Sequence, residues 1–172
     1  KTDDVDYIIA IDTDSVYIAL DELVRAAFPN GADDEKITKF LDKVCNDTLQ
    51  KIINDSYQKL CGTMNAYEQK MHMKREAIAN KGIWTAKKRY MLNVRMGEEN
   101  VYLKEPELKI MGIETARSST PEVVRNALKN VISVIMNGDE SAVHDFVAKF
   151  KNDFRGLPAE KVAFPRGCNG LS

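Results

Sequence analysis

Two apolar runs separated by four polar residues dominate the start of the chain. Ile8 to Leu20 reads IIAIDTDSVYIAL, with Asp12-Thr13-Asp14-Ser15 between the runs. Each run has the length and the Ile/Val/Tyr content of a buried β-strand, which predicts paired acids at a strand end or hairpin tip. Asp21 to Phe28 reads as a short helix stopped by Pro29-Asn30-Gly31. Asp33 and Asp34 then offer an N-cap and favourable first-turn charge for a long helix over Asp34 to Leu60. Its apolar stripe runs Ile37, Phe40, Leu41, Val44, Leu49, Ile52, Ile53, Tyr57 and Leu60, and Gly62 ends it. Such a stripe predicts a helix that covers a core.

In the middle of the chain the period changes to two. Gln69 to Ala79 alternates apolar and polar residues, as does Trp84 to Met96 with a break at Lys87-Lys88-Arg89. These read as strands of an antiparallel sheet with one wet face, and shorter strands are expected at Val101 to Lys104 and Leu108 to Ile113. Beyond Ser118 the pattern becomes helical again. Ser119-Thr120-Pro121-Glu122 combines a capping residue, a Pro for the first helical position and a nearby Glu. Val124, Leu128, Val131, Ile132 and Ile135 form that helix's stripe, and Gly138 closes it. Asp139 or Ser141 opens a second helix carrying Val143, Phe146, Val147, Phe150 and Phe154, ended by Gly156 and Pro158. The expected class is α+β: an antiparallel sheet backed by the long helix, then a helical segment.

Charge is segregated along the chain. The 172 residues carry a net charge of −1, but Lys1 to Glu35 holds ten acids against two basic residues. Lys70 to Arg95 holds eight basic residues against the single acid Glu76. An acidic end and a basic middle suit a metal site beside a polyanion, although segregated charge is also what two solvated faces look like. The three cysteines, Cys45, Cys61 and Cys168, lack metal-type spacing, and an odd count argues against a disulfide framework. No window has transmembrane length and no signal-peptide pattern opens the chain, so an intracellular, membrane-free protein is expected. The first residue is not Met and the last stretch has no closing element, which reads as a piece of a longer protein.

Carboxylates near a core are costly unless they are hydrogen-bonded or bind a cation. Asp12 and Asp14 are therefore candidates for a divalent-metal site serving phosphate chemistry, with a polar Asp-rich turn as the plain alternative. Glu76 in Lys74-Arg75-Glu76-Ala77 is a possible third carboxylate, although a surface acid is the commoner role for such a residue. Lys87-Lys88-Arg89-Tyr90 breaks an apolar strand with three cations and a ring. By themselves those residues are as well read as a solvated edge and a core ring. His72, His144 and Trp84 read as structural.

Taken together, these segments resemble the family B (α-like) DNA polymerases, most closely those of T4-like bacteriophages. Asp12-Thr13-Asp14-Ser15 matches the family's DTDS motif between two palm strands, and Lys87-Lys88-Arg89-Tyr90 matches its KKRY motif. Lys74-Arg75-Glu76-Ala77-Ile78-Ala79 looks like the intervening palm strand. Lys109 to Thr115 running into Arg117-Ser118-Ser119-Thr120-Pro121 is similar to the passage from palm to thumb, and Phe164-Pro165-Arg166-Gly167 resembles a thumb segment. The resemblance implies a palm subdomain over residues 1–117 and the start of a thumb over 118–172. It implies that Asp14 binds both of two catalytic Mg²⁺ ions, that Asp12 is a less direct partner, and that Glu76 is an outer carboxylate. It further implies nucleotide contact at Thr13 and primer–template DNA contact at Lys88 and Tyr90 in the minor groove. Lys87 and Arg89 are expected at phosphates, with a further DNA contact at Arg117.

Some of the family's parts have no match here. An earlier palm strand with the second metal-binding Asp, the fingers helix that binds the deoxynucleoside triphosphate, and the exonuclease have none. The implied protein is a polymerase piece, truncated or split, inactive alone and completed by an N-terminal portion, in the cytoplasm of a phage-infected bacterium. Arg117 and Lys74 depart from residues that relatives carry. Two other readings remain open. Ile8 to Val16 also fits the hhhhDxDxV strand of haloacid-dehalogenase-type phosphatases, which need parallel strands alternating with helices. The basic Lys70 to Arg95 stretch would also serve a non-catalytic DNA-binding module with a steep salt dependence.

Overall fold

A computed structural model describes residues 5–113 and 119–163. The first strands form as expected. β1 (Ile8–Asp12) and β2 (Ser15–Ile18) pair antiparallel, with Asp12 opposite Ser15, Ile11 opposite Val16 and a bulge between Ile8 and Ala10. They form a two-stranded sheet of their own. The expectation of buried strands fails here: Ile8, Ile9 and Ile11 are exposed, Ile11 to 66%. Among the described residues no third strand joins this ribbon, and two-stranded ribbons are marginal by themselves.

α1 (Asp21–Ala27) follows. The long helix is real but not regular. α2 (Asp34–Val44) starts where Asp33 Oδ1 accepts from the Lys36 N–H at 2.7 Å. α3 (Gln50–Thr63) continues it after a π-helical turn at Cys45–Leu49, in which the Gln50 N–H donates to Cys45 O. The apolar stripe explains the extra residue. Val44 and Leu49 are five apart, one more than an α-helix allows on one face, and a π turn restores the phase. Only the first half covers a core fully: Leu41 and Thr38 are buried on α2, whereas α3 leaves Ile53 and Tyr57 half-buried and Ile52 and Leu60 exposed.

The middle strands lie in register other than that expected. β3 (Ile78–Ala86), β4 (Arg89–Met96) and β5 (Tyr102–Met111) form a three-stranded sheet with β4 central. Gln69 to Ala77 is not a strand. It is held by side-chain hydrogen bonds instead: Gln50 Nε2 donates to Met73 O at 2.6 Å, and the segment's own Arg75 Nη1 donates to Gly97 O at 2.9 Å. Trp84-Thr85-Ala86 ends β3 rather than starting the next strand, because Lys87-Lys88 is the turn. β5 runs unbroken through Pro106, which an edge strand tolerates since its outward N–H has no ladder partner to lose. The helical segment forms as expected except at its start, where Pro121 is itself the N-cap and no side chain caps the helix, and at its end, where a short further helix follows. α4 (Glu122–Asn137) ends at Gly138, and Asp139 Oδ1 accepts from the Ala142 N–H at 2.9 Å to start α5 (Glu140–Arg155); α6 (Ala159–Val162) follows.

The chain divides into two compact units. One comprises the described residues up to Gly82 together with Leu92–Glu107; the other comprises Ile83–Met91 and the described residues from Leu108 onward. In the first, Leu41, Ile78 and Met96 form the core, with Leu20, Val24, Ile37, Phe40 and Tyr102 against them. A polar chain fastens α2 to the strands: Asn93 Nδ2 donates to Asn80 Oδ1 at 2.8 Å, Asn80 Nδ2 to Asp34 Oδ2 at 2.9 Å, and Arg95 pairs with the same Asp34 oxygen at 2.7 Å. In the second, Met91, Ile132 and Met136 form the core, flanked by Ile83, Leu108, Ile110 and Ile113. The α+β class stands.

Candidate active site and nucleic-acid interface

The chemistry-bearing residues occupy two hairpin tips, each built around a strained backbone position. Asp12 closes β1, Ser15 opens β2, and Thr13-Asp14 is the two-residue loop between them. Thr13 has φ +52°. Positive φ at the first loop position is what a tight hairpin requires, and glycine ordinarily supplies it; a β-branched residue there carries strain. Local hydrogen bonds help to hold the turn. Ser15 Oγ donates to Asp12 O at 3.1 Å, and Thr13 Oγ1 lies 3.3 Å from Asp12 Oδ1. Asp12 is half-buried, and Asp14 is exposed with no hydrogen bond or ion pair among the described residues.

The second tip is the β3–β4 turn. Lys87, Lys88 and Arg89 are exposed in succession, and Lys88 has φ +61°. Thr85 Oγ1 donates to Arg89 O at 3.3 Å across the turn. Tyr90 does not stand out with them. It is buried, with its ring tilted by 31° to Trp84 at a centroid distance of 6.2 Å. A buried ring is the plain reading of Tyr90 from its sequence, and it is the packing seen; an exposed DNA contact by this ring is not.

Glu76 lies on neither tip. It is exposed in the irregular segment two residues before β3. Among the described residues no group of three or more His, Cys, Asp or Glu side chains lies close enough to hold a metal ion. Asp12, Asp14 and Glu76 are therefore not gathered into one ligand set. The Asp12–Asp14 tip nonetheless has the right donor chemistry for Mg²⁺, hard carboxylate oxygens on a short rigid turn, but supplies too few of the roughly six ligands that ion takes. The residues fit as part of a site. Arg117 lies outside the described residues, as do Cys168 and the Phe164-Pro165-Arg166-Gly167 segment.

Two residues escaped the sequence reading. Arg75 is a buried anchor, its side chain 7% exposed and its Nε donating to Asp42 Oδ1 at 2.7 Å. Gly112 packs its Cα against the Lys88–Arg89 peptide. A Gly directly after the last strand residue was the only signal for the second; a basic run masked the first. The phosphatase reading is set aside by topology. That fold needs parallel strands alternating with helices, whereas here Asp12 and Asp14 stand at the tip of an antiparallel hairpin, one closing its first strand and one in its loop.

Comparison with known proteins places the chain in a class. It is homologous to a segment of phage DNA-directed DNA polymerases, which bears out the resemblance read from its motifs. It is 36% identical over 180 residues to the DNA-directed DNA polymerase of Enterobacteria phage T4, an alignment that takes in 99% of this chain and 20% of that protein. It is 34% identical over 175 residues to the DNA-directed DNA polymerase of Escherichia phage RB69, covering 96% of this chain and 19% of that protein. The chain thus spans about a fifth of the length of these relatives. No family model matches it. No helix among the described residues is long and apolar enough to cross a membrane.

Proposed function

We propose that this chain is the part of a DNA-directed DNA polymerase that presents the catalytic carboxylates and grips the primer–template. The observation that carries the reading is the coincidence of near-complete alignment to two polymerases with a strained hairpin tip that holds Asp12 and Asp14 at the surface. An exposed acid on a costly turn is better explained by a ligand it must meet than by folding.

In this reading residues 1–117 are palm and 118–172 begin the thumb. Asp14 and, less directly, Asp12 hold two Mg²⁺ ions. When bound, Mg²⁺ there neutralises phosphate charge and favours the deprotonated primer 3′-hydroxyl. Asp14, which spends none of its lone pairs on protein partners among the described residues, keeps them for metal. Thr13 lies between the acids, where its backbone and hydroxyl face the incoming deoxynucleoside triphosphate. Lys87 and Arg89 contact phosphates, which orients the duplex without reading sequence. Lys88 meets minor-groove acceptors that every correct base pair presents, so the contact reports pairing rather than sequence. Tyr90 acts from beneath this turn, its ring packed with Trp84. Glu76 serves as an outer carboxylate and Arg117 as a further DNA contact.

The other metal-binding Asp, the triphosphate-binding helix and the exonuclease come from the remaining four-fifths of the polymerase, and an edge of the β1–β2 ribbon suits a strand from it. The chain alone is expected to be inactive. Mixing it with the complementary N-terminal portion of a T4-like polymerase tests the reading. Mg²⁺-dependent primer extension that needs both pieces supports it. A stable complex of the two that binds DNA but never extends a primer would instead favour a non-catalytic DNA-binding module, the alternative that the basic Lys87–Arg89 tip favours.

A further inference from the structure

The tip that carries Lys88 is held from outside its own hairpin. Lys88 has φ +61° in a turn where neither residue is glycine. Gly112, one residue past the end of β5, has φ +69°, and a Cβ built on it would collide with the carbonyl oxygen of Lys88. That Cβ would also stand 3.1 Å from the carbonyl carbon of Lys88 and from Arg89 Cγ. The first obstacle is backbone rather than the far end of a flexible side chain, so it cannot swing aside. Nor can Gly112 itself retreat. Ile110 and Ile113 flank it on the chain, and both pack against the Met91, Ile132 and Met136 core, which also fixes β4 two residues beyond Arg89. The contact is clamped from both sides, and only a hydrogen atom fits between them.

We propose that Gly112 is a positioning residue for Lys88: its bare Cα seats the Lys88 carbonyl, and so fixes the left-handed turn from which Lys87, Lys88 and Arg89 project. Any side chain at 112 would push the Lys88–Arg89 peptide and re-aim the cations, even though position 112 touches no ligand. A left-handed residue persists only when its surroundings over-determine it, and Gly112 is one such group against that peptide. The consequence for DNA rests on the function proposed above; the structural coupling does not.

Two measurements on the whole chain separate these claims. The first is thermal unfolding of Gly112→Ala with and without a glycine at 88. Glycine at 88 lets the 88–89 peptide turn away from the added methyl at little conformational cost. Gly112→Ala should therefore lower the midpoint, and adding Lys88→Gly should restore about half of the loss or more beyond what Lys88→Gly alone gains in the parent, the remainder being the left-handed cost alanine bears at 112 itself. Adding Lys87→Gly should restore none. Where Gly112→Ala alone fails to fold, the Lys88→Gly double variant should still fold. No loss in Gly112→Ala, or equal rescue by glycine at 87 and 88, or no rescue at either, would overturn the proposal. The second measurement is affinity for a short fluorescein-labelled primer–template duplex. Lys88→Ala should weaken binding roughly tenfold, Gly112→Ala by a similar factor, and the double variant no further. Independent, multiplying losses would overturn the functional coupling. Unchanged affinity in Lys88→Ala would sink the DNA-contact reading and leave the structural claim to the unfolding data.

Discussion

Arg75 Nε donates to Asp42 Oδ1 at 2.7 Å, tying the segment before β3 to the last turn of α2. The same guanidinium reaches Gly97 O at 2.9 Å and the Asn100 side chain in the β4–β5 turn. One buried cation thereby fastens three pieces of chain that share no ladder. The segment it holds carries Glu76.

Truncating Arg75 leaves the Asp42 carboxylate and the Gly97 carbonyl without their donor. Buried pairs broken on one side typically cost about 3–5 kcal/mol; Asp42 keeps some solvent access, so about 2–3 kcal/mol is expected for Arg75→Ala. Arg75→Lys keeps the charge but not the fork, and should fall between the two. Urea unfolding reads both. A loss under about 0.5 kcal/mol for Arg75→Ala, the size of an ordinary surface change, would show that the anchor is not what holds the segment.

The Thr13 backbone carries strain that folding alone does not require. Left-handed geometry costs a residue with a Cβ about 1–2 kcal/mol, and glycine returns somewhat less through the entropy of the unfolded chain. Thr13→Gly should therefore stabilise the β1–β2 ribbon slightly, by up to about 1 kcal/mol. Thr13→Val keeps the strain, loses the 3.3 Å contact to Asp12, and should be neutral to slightly destabilising. Slower amide exchange at Ala19, whose N–H donates to Tyr7 O at 2.8 Å across the ribbon, is the readout for the glycine variant. Faster exchange there would contradict the turn geometry.

Cys45 sits in the π-helical turn, and burial holds its thiol above the ordinary value of 9.0, with Arg75 pulling it down and Asp42 pushing it up. A raised folded pKa means that the unfolded chain ionises first. The stability this thiol contributes is thus fully present below the unfolded pKa and lost as pH rises through the folded one. Unfolding free energy should therefore decline above pH 9.0 more steeply in the parent than in Cys45→Ala. In Arg75→Ala, with the opposing cation gone, Cys45 should alkylate still more slowly. Equal slopes with pH in parent and Cys45→Ala would refute this assignment.

The sequence was most legible where local chemistry decides structure. Asp33 and Asp139 cap helices as their positions announced, Gly138 ends one, and the Asp12–Ser15 tip falls between its two strands. The slip from Val44 to Leu49 was also written in the stripe, but a near-3.6 period over the whole helix hid the one step of five. Other features depend on partners that periodicity cannot reveal. Gln69 to Ala77 alternates like a strand, yet Gln50 bonds its Met73 carbonyl and its own Arg75 reaches out to Gly97 O, so side-chain bonds to distant parts of the chain overrode its β pattern. Ile11 and Ile52 look like core residues and are exposed, because apolar spacing says which face is sticky, not what covers it. The candidate acids at Asp12 and Asp14 were readable as a motif. That Glu76 stands apart from them, that Tyr90 is buried and that Gly112 underlies Lys88 are facts of packing.

The central claim is that Asp14 is a metal-binding carboxylate of a polymerase, and single-nucleotide incorporation tests it most directly. The segment of T4 polymerase that aligns with this chain would be replaced by it, and incorporation measured in a single turnover over a Mg²⁺ titration. The chimaera should extend a primer. Asp14→Asn should reduce the rate by at least about a thousandfold, the scale of a lost charge-stabilising group, with duplex affinity unchanged. Glu76→Gln should cost about tenfold at most. An Asp14→Asn chimaera that extends primers at a rate within about tenfold of its parent would contradict the account.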